Sequence, residues 1–208
     1  MQTTIQSRRD IVGKDMLDAC LYRPLERLDL PVLPKFERVA AGGLKLDAVD
    51  VLLKEGQDTS YILEFPSHYV DAKAFYISFS YLRNGISEPG WLLSCDRPNT
   101  FFMFYAPTAT DGSVFHALMV SRLKMMKALD ELGYDRASLG LRDPLIRKAN
   151  RTGIYKTVCP DIWFKFNAEK ESKPISMGFS VELLSQIATA EFWAQEGGLD
   201  GHWVHQRI

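Results

Sequence analysis

The spacing of apolar residues divides the chain into a short series of elements. Between Gly13 and Leu28 the residues Met16, Leu17, Cys20, Leu21 and Leu25 recur at helical spacing, so a helix is expected that ends or bends at Pro24. A loop with Pro31 and Pro34 follows. From Leu44 the pattern turns β-like, Val49, Val51 and Leu53 alternating with Asp50 and Leu52, until Glu55-Gly56-Gln57-Asp58 supplies a turn. A second apolar run covers Tyr61 to Phe65. In the stretch Tyr69 to Leu82, Phe75, Ile77, Phe79 and Tyr81 share one parity, which predicts a long strand or a short helix leading into one. Asn84-Gly85 and Glu88-Pro89-Gly90 are turn signals, and the aromatic run Thr100 to Tyr105 reads as a buried strand. Ser113 to Leu132 reads as a helix with Val114, Leu118, Leu123, Met126 and Leu129 as its stripe and Gly133 as its C-terminal cap. Ile162 to Phe166 is a short strand. Ser180 to Gln195 reads as another helix, built on Val181, Leu184, Ile187, Ala188 and Phe192. This order predicts an α/β fold, a central mixed β-sheet flanked by helices. A single domain over 1–208 is expected: an N-terminal helix and loop (1–34), a sheet core (35–110), then helices and a further strand (111–208).

Composition adds limits rather than a function. The 208 residues are 46% hydrophobic and 25% charged, ordinary for a packed domain and enough to bury a core without a disulfide or metal scaffold. Lys and Arg number 25 against 26 Asp and Glu, so no global positive field advertises a polyanion and any nucleic-acid contact must come from a local patch. Cys20, Cys95 and Cys159 lack CxxC spacing and an even count, which argues against a zinc site or disulfide framework. The first twenty residues carry no apolar signal region, and nowhere do eighteen apolar residues run together. A soluble cytoplasmic protein with no membrane partner is the expectation.

The pair Asp71 and Lys73 is the most suggestive spacing. Two residues apart on an extended strand, a carboxylate and an ammonium point to one face and suit metal-assisted hydrolysis. Mg²⁺ is held by one or two carboxylates plus substrate oxygens and waters, so a second acid is needed, and Asp50, polar within the run Val49 to Leu53, is the candidate. The alternative is a solvent-facing Asp50 beside a surface Asp71–Lys73 ion pair of little energy.

The succession Val49-Asp50-Val51-Leu52-Leu53 and Tyr69-Val70-Asp71-Ala72-Lys73-Ala74 resembles the D…(D/E)xK core of the restriction-endonuclease-like nucleases. Downstream, Asn84-Gly85, Gly90-Trp91-Leu92-Leu93, Phe101 to Tyr105 and Lys173-Pro174-Ile175 look like a bacterial and phage branch of that superfamily, over about residues 35 to 190. The resemblance implies hydrolysis of DNA phosphodiester bonds. It implies Asp50 and Asp71 as ligands of Mg²⁺ (or Mn²⁺), and Lys73 positioning or activating the attacking water, with Glu37 as a further acid carried on a neighbouring helix. Such a cation stabilises charge on the transition state and lowers the pKa of its bound water. Two departures stand out: the branch has a glutamate near the position of Ser78, and a competing alignment uses Glu64 as the strand acid, leaving Pro66 where the lysine belongs. That alignment ranks second. A different class of reading keeps the fold without catalysis, as a protein that binds nucleic acid or a protein partner, for example a phage-encoded inhibitor of a host or defence system. DNA is the expected partner under the first reading, and a homodimer is compatible with either.

Arg142, Arg147, Lys148, Arg151 and Lys156 place five cations within fifteen residues, opposed only by Asp143, and form the candidate phosphate-binding surface; a solvated loop or helix face is the competing explanation. Arg122, Lys124 and Lys127 are expected on the outer face of the Ser113 to Leu132 helix. His202 and His205 have HxxH spacing but lie in a glycine-rich terminal segment and read as a frayed tail. His68 and His116 are isolated, and Trp91, Trp163 and Trp193 sit in apolar stretches and read as core. Gly42-Gly43 fits a turn, since neither a P-loop nor GxGxxG occurs. Cys95 has no nucleophile signature, and GxSxG is absent.

Overall fold

The computed structural model describes residues 17–23, 35–39, 49–55, 57–67, 69–94, 99–108, 114–195 and 198–203. After one π-helical turn (Asp18–Tyr22) come β1 (Lys35–Arg38), β2 (Val51–Glu55), β3 (Asp58–Pro66), β4 (Ala74–Arg83), β5 (Ile86–Pro89) and the short helix α1 (Trp91–Ser94). They are followed by β6 (Thr100–Pro107), β7 (Val114–Ser121), α2 (Arg122–Glu131), α3 (Arg136–Ala149), β8 (Gly153–Lys156), β9 (Ile162–Phe166) and β10 (Ile175–Ser180). Helix α4 (Val181–Ile187), β11 (Ala190–Gln195) and β12 (Gly198–Trp203) complete the described elements. The class is α/β with a mixed sheet and helices, and none of the described helices is long and apolar enough to cross a membrane.

The chain forms two compact units that interleave in sequence. Unit 1 takes residues 1–72, 98–122 and 188–208; unit 2 takes 73–97 and 123–187. Unit 1 holds a seven-stranded sheet in the order β1-β2-β3-β6-β7-β11-β12, in which β3 and β6 run parallel and every other neighbouring pair is antiparallel. Strand parity puts Val51, Leu53, Ile62, Met103, Tyr105, Ala117, Met119 and Phe192 on one face, where they pack with Leu17, Leu21 and Tyr22 of the π-helical turn. The β2–β3 hairpin closes with Glu55 opposite Asp58, as the turn signal there predicts.

Unit 2 holds a five-stranded antiparallel sheet, β5-β4-β10-β9-β8. Its buried face carries Phe75, Ile77, Phe79, Phe164, Phe166, Ile175, Met177 and Phe179. The turn between β4 and β5 has Asn84 and Gly85 both at positive φ (53° and 78°), the conformation an Asn-Gly hairpin favours. Gly133 sits at φ 80° beyond α2, as expected of a helix end.

Three expectations about elements are corrected. Ser113 to Leu132 is not one helix: its first half is β7, whose residues 117–120 are buried without interruption, and only Arg122–Glu131 is helical. A strand covered on both faces loses its two-residue alternation, so its apolar residues also satisfied a helical template. Ser180 to Gln195 likewise splits into α4, capped by the Ser180 hydroxyl accepting from the Leu183 N–H at 3.1 Å, and β11. Residues 69–73 are turn and bend rather than strand, and β4 starts only at Ala74.

Candidate functional site

The acid that the structure buries is Glu64, in the middle of the apolar strand β3. Its side chain is fully shielded from solvent, so its charge needs a partner. Register supplies one: Arg38 on β1 lies opposite Val51 of β2, which lies opposite Ile62 of β3, so Arg38 and Glu64, two residues beyond Ile62, emerge on the same side of the sheet. Arg38 donates from Nη1 to Glu64 Oε2 at 2.9 Å and from Nη2 to Oε1 at 3.0 Å, a two-pronged ion pair. Its Nε donates to Asp18 Oδ2 at 2.6 Å, and the Tyr22 hydroxyl donates to Glu64 Oε1 at 3.1 Å. Asp50 joins from the start of β2, its Oδ2 accepting from the Glu64 backbone N–H at 2.9 Å. A cavity of about 160 Å³ opens beside the group, lined by Asp18, Tyr22, Arg23, Phe36, Arg38 and Val51.

The electrostatics follow from burial. Burial pushes the Tyr22 hydroxyl well above its ordinary pKa, and the neighbouring Glu64 charge pushes it further, so it stays a donor. Burial opposes the Arg38 charge, but hydrogen bonds to Glu64 and Asp18 outweigh it and raise the pKa. Among the described residues, one guanidinium therefore pairs with two carboxylates.

The residues expected from the sequence are only partly assembled here. Asp50 is half-buried and touches Glu64 through the backbone. Asp71 is exposed in a turn at φ 49°, its N–H donating to the Pro107 carbonyl at 2.9 Å. Lys73 is exposed in the bend before β4, and its carbonyl accepts from the Val181 N–H at 3.1 Å. The two-residue spacing therefore does not put Asp71 and Lys73 on one strand face. Glu37 lies on strand β1, not on a helix, and pairs with Lys54 at 2.7 Å; that hydrogen bond holds its carboxyl below the usual pKa. Its parity on β1 is opposite to that of Arg38. Among the described residues no group of three or more His, Cys, Asp or Glu is placed to hold a metal ion. Glu64, from the alignment ranked second, is the acid the structure brings next to Asp50. Asp18, Tyr22 and Arg38 were missed, and the available signal was a glutamate inside the apolar run Tyr61 to Phe65.

The expected cation surface belongs to unit 2 and divides. Arg147 turns inward: its Nε donates to Asp143 Oδ1 at 2.8 Å, Nη1 to the Lys173 carbonyl at 2.7 Å and Nη2 to Ser80 Oγ at 2.9 Å, with its guanidinium 6.0 Å from the Phe166 ring centroid. Ser80 also bonds Asp143. Lys148, Arg151 and Lys156 are exposed and Arg142 half-buried, and no described carboxylate forms an ion pair with any of these four. Charge is unevenly shared: unit 2 contains 14 Lys and Arg against 10 Asp and Glu, and unit 1 contains 11 against 16.

Two further expectations are corrected. The tryptophans are not core: Trp91 and Trp193 are exposed and Trp163 half-buried. His116 is not isolated: its Nε2 lies 2.7 Å from Glu191 Oε1 and its ring stacks on Trp193 with centroids 5.0 Å apart. His68, His205, Cys95 and Gly42-Gly43 lie outside the described residues; His202 faces Glu191 across β12 and β11, and nothing is described of its side chain. Comparison with family models, curated proteins and solved structures finds no match to this chain.

Proposed function

We propose that the protein binds nucleic acid through unit 2. The observation that carries this reading is the segregation of charge: a chain with a net charge of −1 concentrates a surplus of four cations in one unit. Arg142, Lys148, Arg151 and Lys156 stand there without carboxylate partners among the described residues. Cations without carboxylate partners are what a phosphate backbone can engage, and each contact made would release counterions. Fluorescence anisotropy of labelled oligonucleotides across a salt series tests it. Binding that weakens linearly on a log–log scale is expected; absence of binding at 50 mM salt ends the proposal.

Hydrolysis is the second reading, and the adjacency of Asp50 and Glu64 favours it, because it recreates the two acids of a D…(D/E)xK site without the lysine. Glu64 has both oxygens committed to Arg38 and Tyr22, so a Mg²⁺ or Mn²⁺ ion would enter only if Arg38 moved away. Cleavage of plasmid or single-stranded DNA that EDTA blocks, and that Asp50→Asn and Glu64→Gln abolish, would establish it over binding alone. The restriction-endonuclease-like fold belongs to this second reading.

A further inference from the structure

The outer face of the unit 2 sheet departs from what solvent exposure demands. The antiparallel register aligns Lys156, Trp163, Gly178 and Tyr76 in one row across β8, β9, β10 and β4. The neighbouring row is Ile154, Lys165, Ser176 and Ser78. An outward-facing antiparallel surface is ordinarily polar, yet here two large aromatic rings lie side by side, edge to face, with centroids 6.1 Å apart and planes at 78°. The Trp163 Nε1–H donates to the Tyr76 hydroxyl at 3.2 Å. Glycine at 178 makes room for them, since a Cβ there would overlap the Trp163 indole and crowd the Tyr76 ring. Lys165 Nζ lies 5.3 Å from the Tyr76 centroid. Neither row contains a carboxylate.

Beside the rings lies a cleft of about 450 Å³ with apolar walls from Ile154, Val158, Pro160 and Trp163 and with Lys156 among its lining. Val158, in the bend after β8, is 92% exposed and Ile154 on β8 59%, an unusual outlay of apolar surface beside exposed cations. The cleft falls within the roughly 300–1,000 Å³ of small-ligand sites. Apolar walls, aromatic faces and cations without acids are complementary to a flat, weakly polar ring attached to an anionic backbone.

We propose that this face is a stacking platform for single-stranded nucleic acid, with unpaired bases against Trp163 and Tyr76 and phosphates on Lys156 and Lys165. The inference rests on the nucleic-acid reading above and narrows it: in a duplex the base faces are stacked inside and only their edges are offered, so an aromatic platform gains nothing from one.

The test compares fluorescein-labelled oligo-dT, oligo-U and a duplex of equal length by anisotropy, for wild type, Trp163→Ala, Trp163→Phe and Tyr76→Ala, with circular dichroism to confirm folding. Single strands are expected to bind more tightly than duplex. Trp163→Ala and Tyr76→Ala should each weaken single-strand binding by about 10-fold or more, with duplex affinity changed less than about 2-fold and Trp163→Phe close to wild type. Stronger binding of oligo-dT or of oligo-U tells DNA from RNA, and either supports the platform. If Trp163→Ala does not fold, the exposed Tyr76 carries the comparison. Preference for duplex, or single-strand affinity indifferent to both aromatics, overturns the platform while leaving nucleic-acid binding in place. Failure to bind any of the three overturns both.

Discussion

Arg38 is the residue on which the unit 1 site depends, because among the described residues its guanidinium is the one that pairs with a carboxylate solvent cannot reach. Removing one partner of a buried pair leaves an uncompensated charge and costs about 3–5 kcal/mol, whereas replacing both with apolar groups is often neutral. Arg38→Met should therefore lower the denaturation midpoint sharply, and the double variant Arg38→Met with Glu64→Leu should recover most of the loss. A single variant as stable as wild type would mean that Arg38 is not the internal counter-ion of Glu64. Tyr22 adds a pH dependence with a definite sign. Its folded pKa is raised above the ordinary 10.0, so the unfolded chain ionises first on the alkaline side. The stability it contributes is present in full below pH 10 and drains away as pH rises beyond that. Thermal midpoints between pH 8 and 11 should fall steeply for wild type. In Tyr22→Phe, which loses the hydrogen bond to Glu64 at a cost of about 1 kcal/mol, the midpoint starts lower but the alkaline decline is shallower. Equal slopes would show that Tyr22 ionises as freely in the fold as outside it.

At the scale of elements, legibility tracked how much of a strand is covered. The run Thr100 to Tyr105 was readable because five consecutive residues from Phe102 to Ala106 are buried and aromatic residues dominate them. Continuous burial over residues 117–120 hid β7, and in both mispredicted stretches the apolar residues also fit a helical interval, Val114 and Leu118 four apart and Ala188 and Phe192 likewise. Helix α3 hid for another reason: Gly140 and Pro144 lie inside it, and its boundaries are set by local hydrogen bonds rather than by a stripe. Asp135 caps its start, accepting from the Ser138 N–H at 2.6 Å, and Asn150 ends it in the left-handed conformation. The candidate site was legible only where a polar residue interrupted an apolar strand. That cue marked Asp50 and Glu64, but the Asp71–Lys73 spacing has meaning only on an extended strand, and five residues of turn and bend precede β4. Arg38 carries no local signal, because what selects it is register across two intervening strand pairings.

Over the whole molecule, net charge conceals an uneven distribution, because a value of −1 averages a cation-rich unit and an acid-rich one. If unit 2 meets phosphate as proposed, its basic residues divide by role, and that division can be read from salt dependence. A cation that meets phosphate contributes roughly one to the slope of log affinity against log salt concentration, and one that does not contributes nothing. Lys148→Ala and Arg151→Ala, both exposed on unit 2, should each reduce the slope by about one and weaken binding without regard to base sequence. Lys54→Ala on unit 1, where the ammonium is already paired with Glu37, should leave slope and affinity unchanged. Arg147→Ala separates structure from binding: its guanidinium is engaged by Asp143, Ser80 and the Lys173 carbonyl, so its loss should lower the thermal midpoint of the protein, and the slope of whatever remains folded should match wild type. Equal slopes across all four variants would mean that unit 2 carries its surplus charge for solubility, and that phosphate is met elsewhere on the chain.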